Sequence, residues 1–184
     1  MRTAYLDIET NYVGEFNSSE DRFYRDSKNH LLTVLGLRLL DDGSDSFVQL
    51  FDKEITKVKL IQSLEGTKKI VTYNGRSIPD AMKKRVGFDF PVIAAQLGIV
   101  LDKEFPHVDL CPECWKHNLY GGLKKVEKQL GLKRQFPDRE GAWAMEAYRT
   151  YLKTGDEKLR IELLTYNRED VYMLRELEIK LQKL

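Results

Sequence analysis

Apolar positions fall into short runs in the first half of the chain and into helical periods in the second. Residues 4–8 form a compact apolar run of the kind a buried strand presents. Residues 31–40 repeat that pattern, and residues 46–51 alternate like a third strand. Asp41-Asp42-Gly43-Ser44 between them is a turn signal, so strands two and three are predicted to pair as a hairpin. Residues 54–64 have helical spacing. Residues 69–73 predict a fourth strand, ended by Asn74-Gly75, and residues 108–110 a short fifth one. Beyond that point the pattern is helical, over 123–130, 141–153 and 156–184. The middle helix begins after Pro137-Asp138 and stops before Gly155, which are ordinary start and stop signals. Strands followed by strands alternating with helices predict an α/β fold, a mixed sheet covered on both faces. Residues 11–30 are the longest stretch without periodicity, a loop that is either functional or loose.

The chain has 184 residues, enough for one α/β domain with its own core, and no composition break divides it. The whole of 1–184 is therefore expected to be a single domain. Hydrophobic residues make up 42% and charged residues 32%, the balance of a soluble globular protein. No apolar run approaches the ~20 residues of a membrane span. The start, Met1-Arg2-Thr3-Ala4, runs into strand-like sequence without a signal-peptide pattern, and two cysteines make no disulfide framework. Together these features predict a cytoplasmic protein with no membrane partner. The net charge of +1 neither marks nor excludes a nucleic-acid binder, because distribution matters more than the sum. Residues 116–139 carry seven Lys/Arg against two acids, Glu127 and Asp138. Such a segment either tracks a phosphate backbone or forms a solvated helix face.

Three acidic constellations change the picture. Asp7 and Glu9 stand two apart in an otherwise apolar strand, so they point to the same face. Two neighbouring carboxylates repel and lose solvation, and a hard divalent cation removes both penalties. The plainer alternative is a strand end where both reach water. Tyr166 and Asp170 are four apart in a long amphipathic helix and share a face. A phenol beside a cation-binding carboxylate can orient a water; the plainer alternative is a half-buried aromatic and a surface charge. Asp89 lies between Phe88 and Phe90 and ahead of Pro91, an apolar setting for a carboxylate. It also suits the N-cap of a short helix running to Leu97, a role compatible with facing a metal.

These residues resemble the DEDD superfamily of 3′–5′ exonucleases. Asp7-Ile8-Glu9-Thr10 matches its Asp-x-Glu strand, and Tyr166 with Asp170 matches the Tyr-x-x-x-Asp motif of its tyrosine subgroup. The histidine subgroup needs His at the position of Thr165. More narrowly, the chain is similar to the YprB-like predicted ribonuclease-H-like exonucleases. The shared elements are Tyr73-Asn74-Gly75, Phe88 with Asp89 and Pro91, His107 with Asp109 and Leu110, Leu123-Lys124 with Glu127 and Leu130-Gly131, and Tyr166-Asn167 with Asp170-Val171. The chain departs from that family in the twelve residues, Arg76 to Gly87, between Tyr-Asn-Gly and Phe-Asp. Asp80 is thus a rival to Asp89 for the second-motif acid; Asp89 is preferred because Phe88 and Pro91 match around it.

The resemblance implies a ribonuclease-H-like fold with a mixed five-stranded sheet flanked by helices, and two-metal hydrolysis of phosphodiester bonds in single-stranded nucleic acid. It implies two Mg²⁺ or Mn²⁺ ions held by Asp7, Glu9, Asp89 and Asp170. Asp7 would bridge both ions, Glu9 and Asp170 would complete one, and Asp89 would help hold the other. Tyr166, with an ordinary pKa near ~10, would orient water rather than act as base. The expected partner is DNA or RNA with a free 3′ end, and the sequence names no protein partner. Asn74 and Gly75 are expected near the substrate, although Asn-Gly is also a plain turn signal. Lys124, Lys125 and Lys128 are candidate phosphate contacts. Two alternatives share the fold: a catalytically silent nucleic-acid-binding domain, and a structure-specific endonuclease or RNase H.

Other signals are weaker. Cys111-Pro112-Glu113-Cys114, with His107 and His117 nearby, has metal-like spacing, but a closed zinc site would have to fold back around one short segment. The pair also fits a redox dithiol. The plainer expectation is that Pro112 and Glu113 open a helix. Trp115 and Trp143 read as core or groove packing, and Arg76 with Lys83, Lys84 and Arg85 as a solvated face.

Overall fold

The computed structural model describes residues 1–14, 26–76 and 87–184. Asp80 and the Lys83, Lys84 and Arg85 cluster lie outside the described residues. Strand β1 (Arg2–Tyr12) is central in a five-stranded sheet of order β3-β2-β1-β4-β5. Strands β2 (His30–Asp41) and β3 (Ser44–Phe51) form the expected hairpin, antiparallel to each other, with β2 antiparallel to β1. Strands β4 (Thr67–Thr72) and β5 (His107–Asp109) run parallel to β1 and to one another. The sheet is therefore mixed, as expected of a ribonuclease-H-like α/β fold.

The alternation of β1 divides the core. Ala4, Leu6 and Ile8 point to one face, where they pack with Leu35, Leu37 and Leu39 of β2. That face is covered by α1 (Lys57–Ser63), α2 (Asp89–Leu97) and α3 (Leu101–Glu104), through Leu60, Val92, Ile93 and Leu101. Tyr5 points to the other face, against α4 (Leu110–Lys116), α5 (Leu123–Gln129) and α7 (Glu157–Leu181). Helix α7 lays Val171, Leu174 and Leu177, each fully buried, on that face. Truncating Leu174 or Leu177 to Ala would cost about 2–5 kcal/mol for transfer plus cavity. Helix α6 (Gly141–Thr154) closes a smaller cluster with α7, built on Ala144, Tyr148, Leu163 and Tyr166.

Several boundaries differ from the sequence reading, for local reasons. Strand β1 continues to Tyr12, because β2 supplies a partner for each of Thr10, Asn11 and Tyr12. Asn11, Tyr12 and His30, which the pattern leaves in the non-periodic stretch, thus lie in strands. Helix α4 opens at Leu110 rather than at Pro112, since the Asp109 side chain accepts from the Cys111 N–H and caps it. Asp89 is not an N-cap. Phe88 holds the cap position, with φ −121° and ψ −62°, and Asp89 is the first residue of α2. No helix among the described residues is long and apolar enough to cross a membrane.

Candidate metal centre

With Ala4, Leu6 and Ile8 committed to one face of β1, Asp7 and Glu9 are turned to the face that α7 covers. The β1–β2 register shifts between Glu9 and Thr10, a bulge directly at the acidic pair. Helix α7 then delivers Asp170. Carboxylate oxygens of Asp7, Glu9 and Asp170 all lie within 4.8 Å of one another. Glu9 and Asp170 are buried and Asp7 is half-buried.

The electrostatics follow from that crowding. Burial pushes the Asp7 carboxyl well above the usual range, and Asp170, Glu9 and Asp89 push it further. Glu9 is raised in the same way, by burial first and then Asp170, with Lys124 opposing. Asp170 is raised by burial, against the pull of Arg134 and Lys124. An all-oxygen donor set of crowded carboxylates suits a hard divalent cation, which would remove the repulsion that raises them.

Asp89 approaches from the other layer of the sheet. It is buried and outside the 4.8 Å set, yet its charge acts on both Asp7 and Glu9. Its placement depends on the turn after β4. The Phe88 N–H donates to the Asn74 carbonyl at 2.8 Å, and the Phe90 N–H donates to the Gly75 carbonyl at 2.9 Å. Asp109 ties down the same turn by accepting from the Asn74 N–H at 2.8 Å. A Cβ on Gly75 would sit 2.1 Å from the Thr72 hydroxyl, so only glycine fits. Asn74 and Gly75 thus act as the turn that seats the helix of Asp89.

Tyr166 is buried one helical turn before Asp170, as the spacing predicts. Burial, then Glu9, Asp170 and Asp7, hold its phenol far above the ordinary range, so it stays protonated. Lys124 is turned inward: its Nζ donates to the Tyr166 hydroxyl and to the Arg139 carbonyl, and lies 4.1 Å from the Tyr166 ring centre. Lys125 and Lys128 of the same helix are exposed. The Trp143 ring is 5.5 Å from that of Tyr166 and is covered by the Arg139 guanidinium at 3.9 Å, so it packs in the groove.

Three residues of this site were missed as participants by the sequence reading. Asn167, fully buried, donates to the Asp7 carboxylate at 3.0 Å. Arg134 donates from Nη1 to Asp170, and Glu127 accepts from its Nε and, at 2.7 Å, from its Nη2. Asn167 had a signal, three residues before Asp170 on one helical face, and Glu127 had the oddity of an acid in a basic helix. Arg134 had none. Among the described residues, Cys111, Cys114, His107 and His117 form no comparable ligand group. Both cysteines are buried, and burial pushes the Cys114 thiol up to about 12.

A family model for the RNase_H superfamily, RNase_H_2, matches residues 4–182. The chain belongs to the RNase H superfamily. No protein with a curated description matches it significantly. RNase H-like domains are for the most part nucleases that use divalent metals on nucleic acid, and the cluster of Asp7, Glu9 and Asp170 is the candidate metal site of this RNase H-like domain.

Proposed function

We propose that the chain is a metal-dependent 3′–5′ exonuclease of the DEDD type, tyrosine subgroup and YprB-like branch, acting in the cytoplasm on single-stranded nucleic acid. The observation that carries this reading is the convergence of Asp7, Glu9 and Asp170 within 4.8 Å, with Tyr166 one helical turn from Asp170. Asp7, Glu9 and Asp170 would hold one Mg²⁺ or Mn²⁺, and Asp89 with Asp7 would take part in holding a second. Bound divalent cations supply Lewis acidity that acidifies water and neutralises the phosphoryl charge. The protein's own groups do the rest. Asn167 fixes the direction of the Asp7 carboxylate. Tyr166, kept neutral, offers a hydroxyl that orients water without abstracting a proton. Lys124, already on that hydroxyl, is placed to meet a phosphate entering beside it. Lys125 and Lys128 extend the positive charge outward along α5.

One observation favours a second reading, binding without cleavage: Arg134 occupies the Asp170 carboxylate with a fixed positive charge. The two readings separate on a 5′-labelled single-stranded DNA oligonucleotide and its RNA counterpart, each with Mn²⁺, Mg²⁺ or EDTA, beside Asp7→Ala. A ladder shortening from the 3′ end, absent with EDTA and in the variant, is expected. Intact strands with retained binding would mean a silent binding domain. Cleavage of a circular single strand would mean an endonuclease.

A further inference from the structure

We propose that Arg134 is a built-in competitor for the divalent cation at Asp170, and that buried Glu127 sets how strongly it competes. This rests on the metal reading of the acidic cluster and adds the residue that tunes its affinity.

The Arg134 side chain is 4% exposed and has three carboxylates around it. Nε and Nη2 are engaged by Glu127, itself 1% exposed, and Nη1 donates to Asp170 Oδ1. The third carboxylate, Glu169, stands 3.9 Å from Nη1. The segment bearing Arg134 is pinned to α7. Glu169 accepts from the Gln135 N–H and, at 3.2 Å, from the Phe136 N–H, and Arg139 pairs with Glu162 at 2.7 Å. The guanidinium is therefore held at Asp170, not merely able to reach it.

A divalent cation at Asp7, Glu9 and Asp170 needs the carboxylate that Arg134 occupies. Arginine stays charged at every relevant pH, so the contest is cation against cation. Glu127 moderates it by neutralising most of the guanidinium charge. Glu169 supplies the exit: when Asp170 turns to a metal, Nη1 passes to Glu169 and no buried charge is stranded. The pair thus keeps the metal-free cluster from full repulsion and yields Asp170 on occupancy.

The sign of the effect separates competition from simple support. Glu127→Gln frees the whole charge of Arg134 for Asp170 and should weaken Mn²⁺ binding. The double variant Arg134→Met with Glu127→Gln removes the competitor without leaving a carboxylate at Glu127 unpaired, leaves Asp170 open to the cation, and should bind Mn²⁺ more tightly than the parent. The Glu127→Gln shift is expected to be about tenfold or more, since a unit charge about 6 Å from a divalent cation at an effective dielectric of about 20 is worth several RT. The double variant removes one charge of each sign and is expected to gain a smaller factor, about a few-fold, from the freed Asp170 carboxylate. Free Mn²⁺ is read by electron paramagnetic resonance on the full chain without nucleic acid, with folding checked by circular dichroism. Weaker binding by both folded variants would overturn the proposal and leave Arg134 as a support for Asp170. Equal binding by all would overturn it too. Should the double variant not fold, unchanged or tighter binding by Glu127→Gln alone overturns it. Absence of binding in the parent and both variants, or binding that survives Asp7→Asn, would instead sink the metal reading and the competition with it.

Discussion

Asn167 grips Asp7 at two atoms: its Nδ2 donates to the carboxylate Oδ2 at 3.0 Å and to the main-chain carbonyl at 3.3 Å. Its Oδ1 accepts from Gln49 Nε2 at 2.9 Å, which sets the amide the right way round. A helix and two strands thus agree on the direction of one carboxylate, as outer hydrogen bonds do around metal ligands. Asn167→Asp turns the donor into a further charge beside Asp7 and should abolish the rise in Tm that Mn²⁺ gives the parent. Asn167→Ala should lower metal affinity about 10–100-fold, the usual cost of losing such a partner. A parent-like Mn²⁺ shift in Asn167→Asp, followed by differential scanning fluorimetry, would refute the role.

Gly36 pairs with Asp7 across β1 and β2 and lies beneath Asn167. A Cβ there would stand 2.4 Å from Asn167 Oδ1 and 2.8 Å from Val171 Cγ2. Gly36→Ala therefore pushes α7 off the sheet at the point where the site is assembled. Destabilisation of about 1–3 kcal/mol is expected in urea unfolding, the range for overpacking a core. A change below about 0.5 kcal/mol would mean that α7 is not closely seated there.

The raised carboxyls carry a definite pH sign. Asp7, Glu9 and Asp170 all titrate above their ordinary values, chiefly through burial. Their contribution to stability is complete below about pH 4 and is lost as pH rises through the raised values. In EDTA at neutral pH, Asp7→Asn should therefore raise Tm, because the amide carries no charge and still accepts from Asn167. The same variant should lose the stabilisation by Mg²⁺ or Mn²⁺. Equal Tm values for the two proteins in EDTA from pH 5 to pH 8 would count against the electrostatic account.

Glu178 titrates in the opposite sense. Burial raises its carboxyl, but Tyr5, Lys69 at 3.1 Å and Arg175 at 3.0 Å outweigh that and hold it below its ordinary value. Its stabilisation is present above about pH 4.3 and disappears as pH falls through the lowered value. Tyr5→Phe removes a buried hydrogen bond to a charged group and should cost about 1.5–3 kcal/mol at pH 7. The loss should shrink in acid, once Glu178 is protonated in both proteins. A pH-independent loss would assign it to packing.

Local pattern carried most of the fold. Short apolar runs at 4–8 and 31–40 and the alternation at 46–51 marked strands, Asp41 to Ser44 marked the hairpin, and Gly155 marked the end of α6. The same periodicities put Asp7 with Glu9, and Tyr166 with Asp170, because residues two apart on a strand and four apart on a helix share a face whatever surrounds them. Cap positions were less legible: whether Asp89 or Phe88 caps α2 depends on carbonyls of Asn74 and Gly75, which periodicity does not see. What those faces meet was decided only by the tertiary structure. Asp170 joins Asp7 from 163 positions along the chain because the apolar stripe of α7 seats on the sheet face opposite Ala4, Leu6 and Ile8. Arg134 likewise becomes part of the site only when the segment after α5 is drawn onto α7 by Glu169. Burial and charge pairing are properties of the assembled layers, and a lone arginine in a basic segment carries no local mark of the carboxylates it will meet.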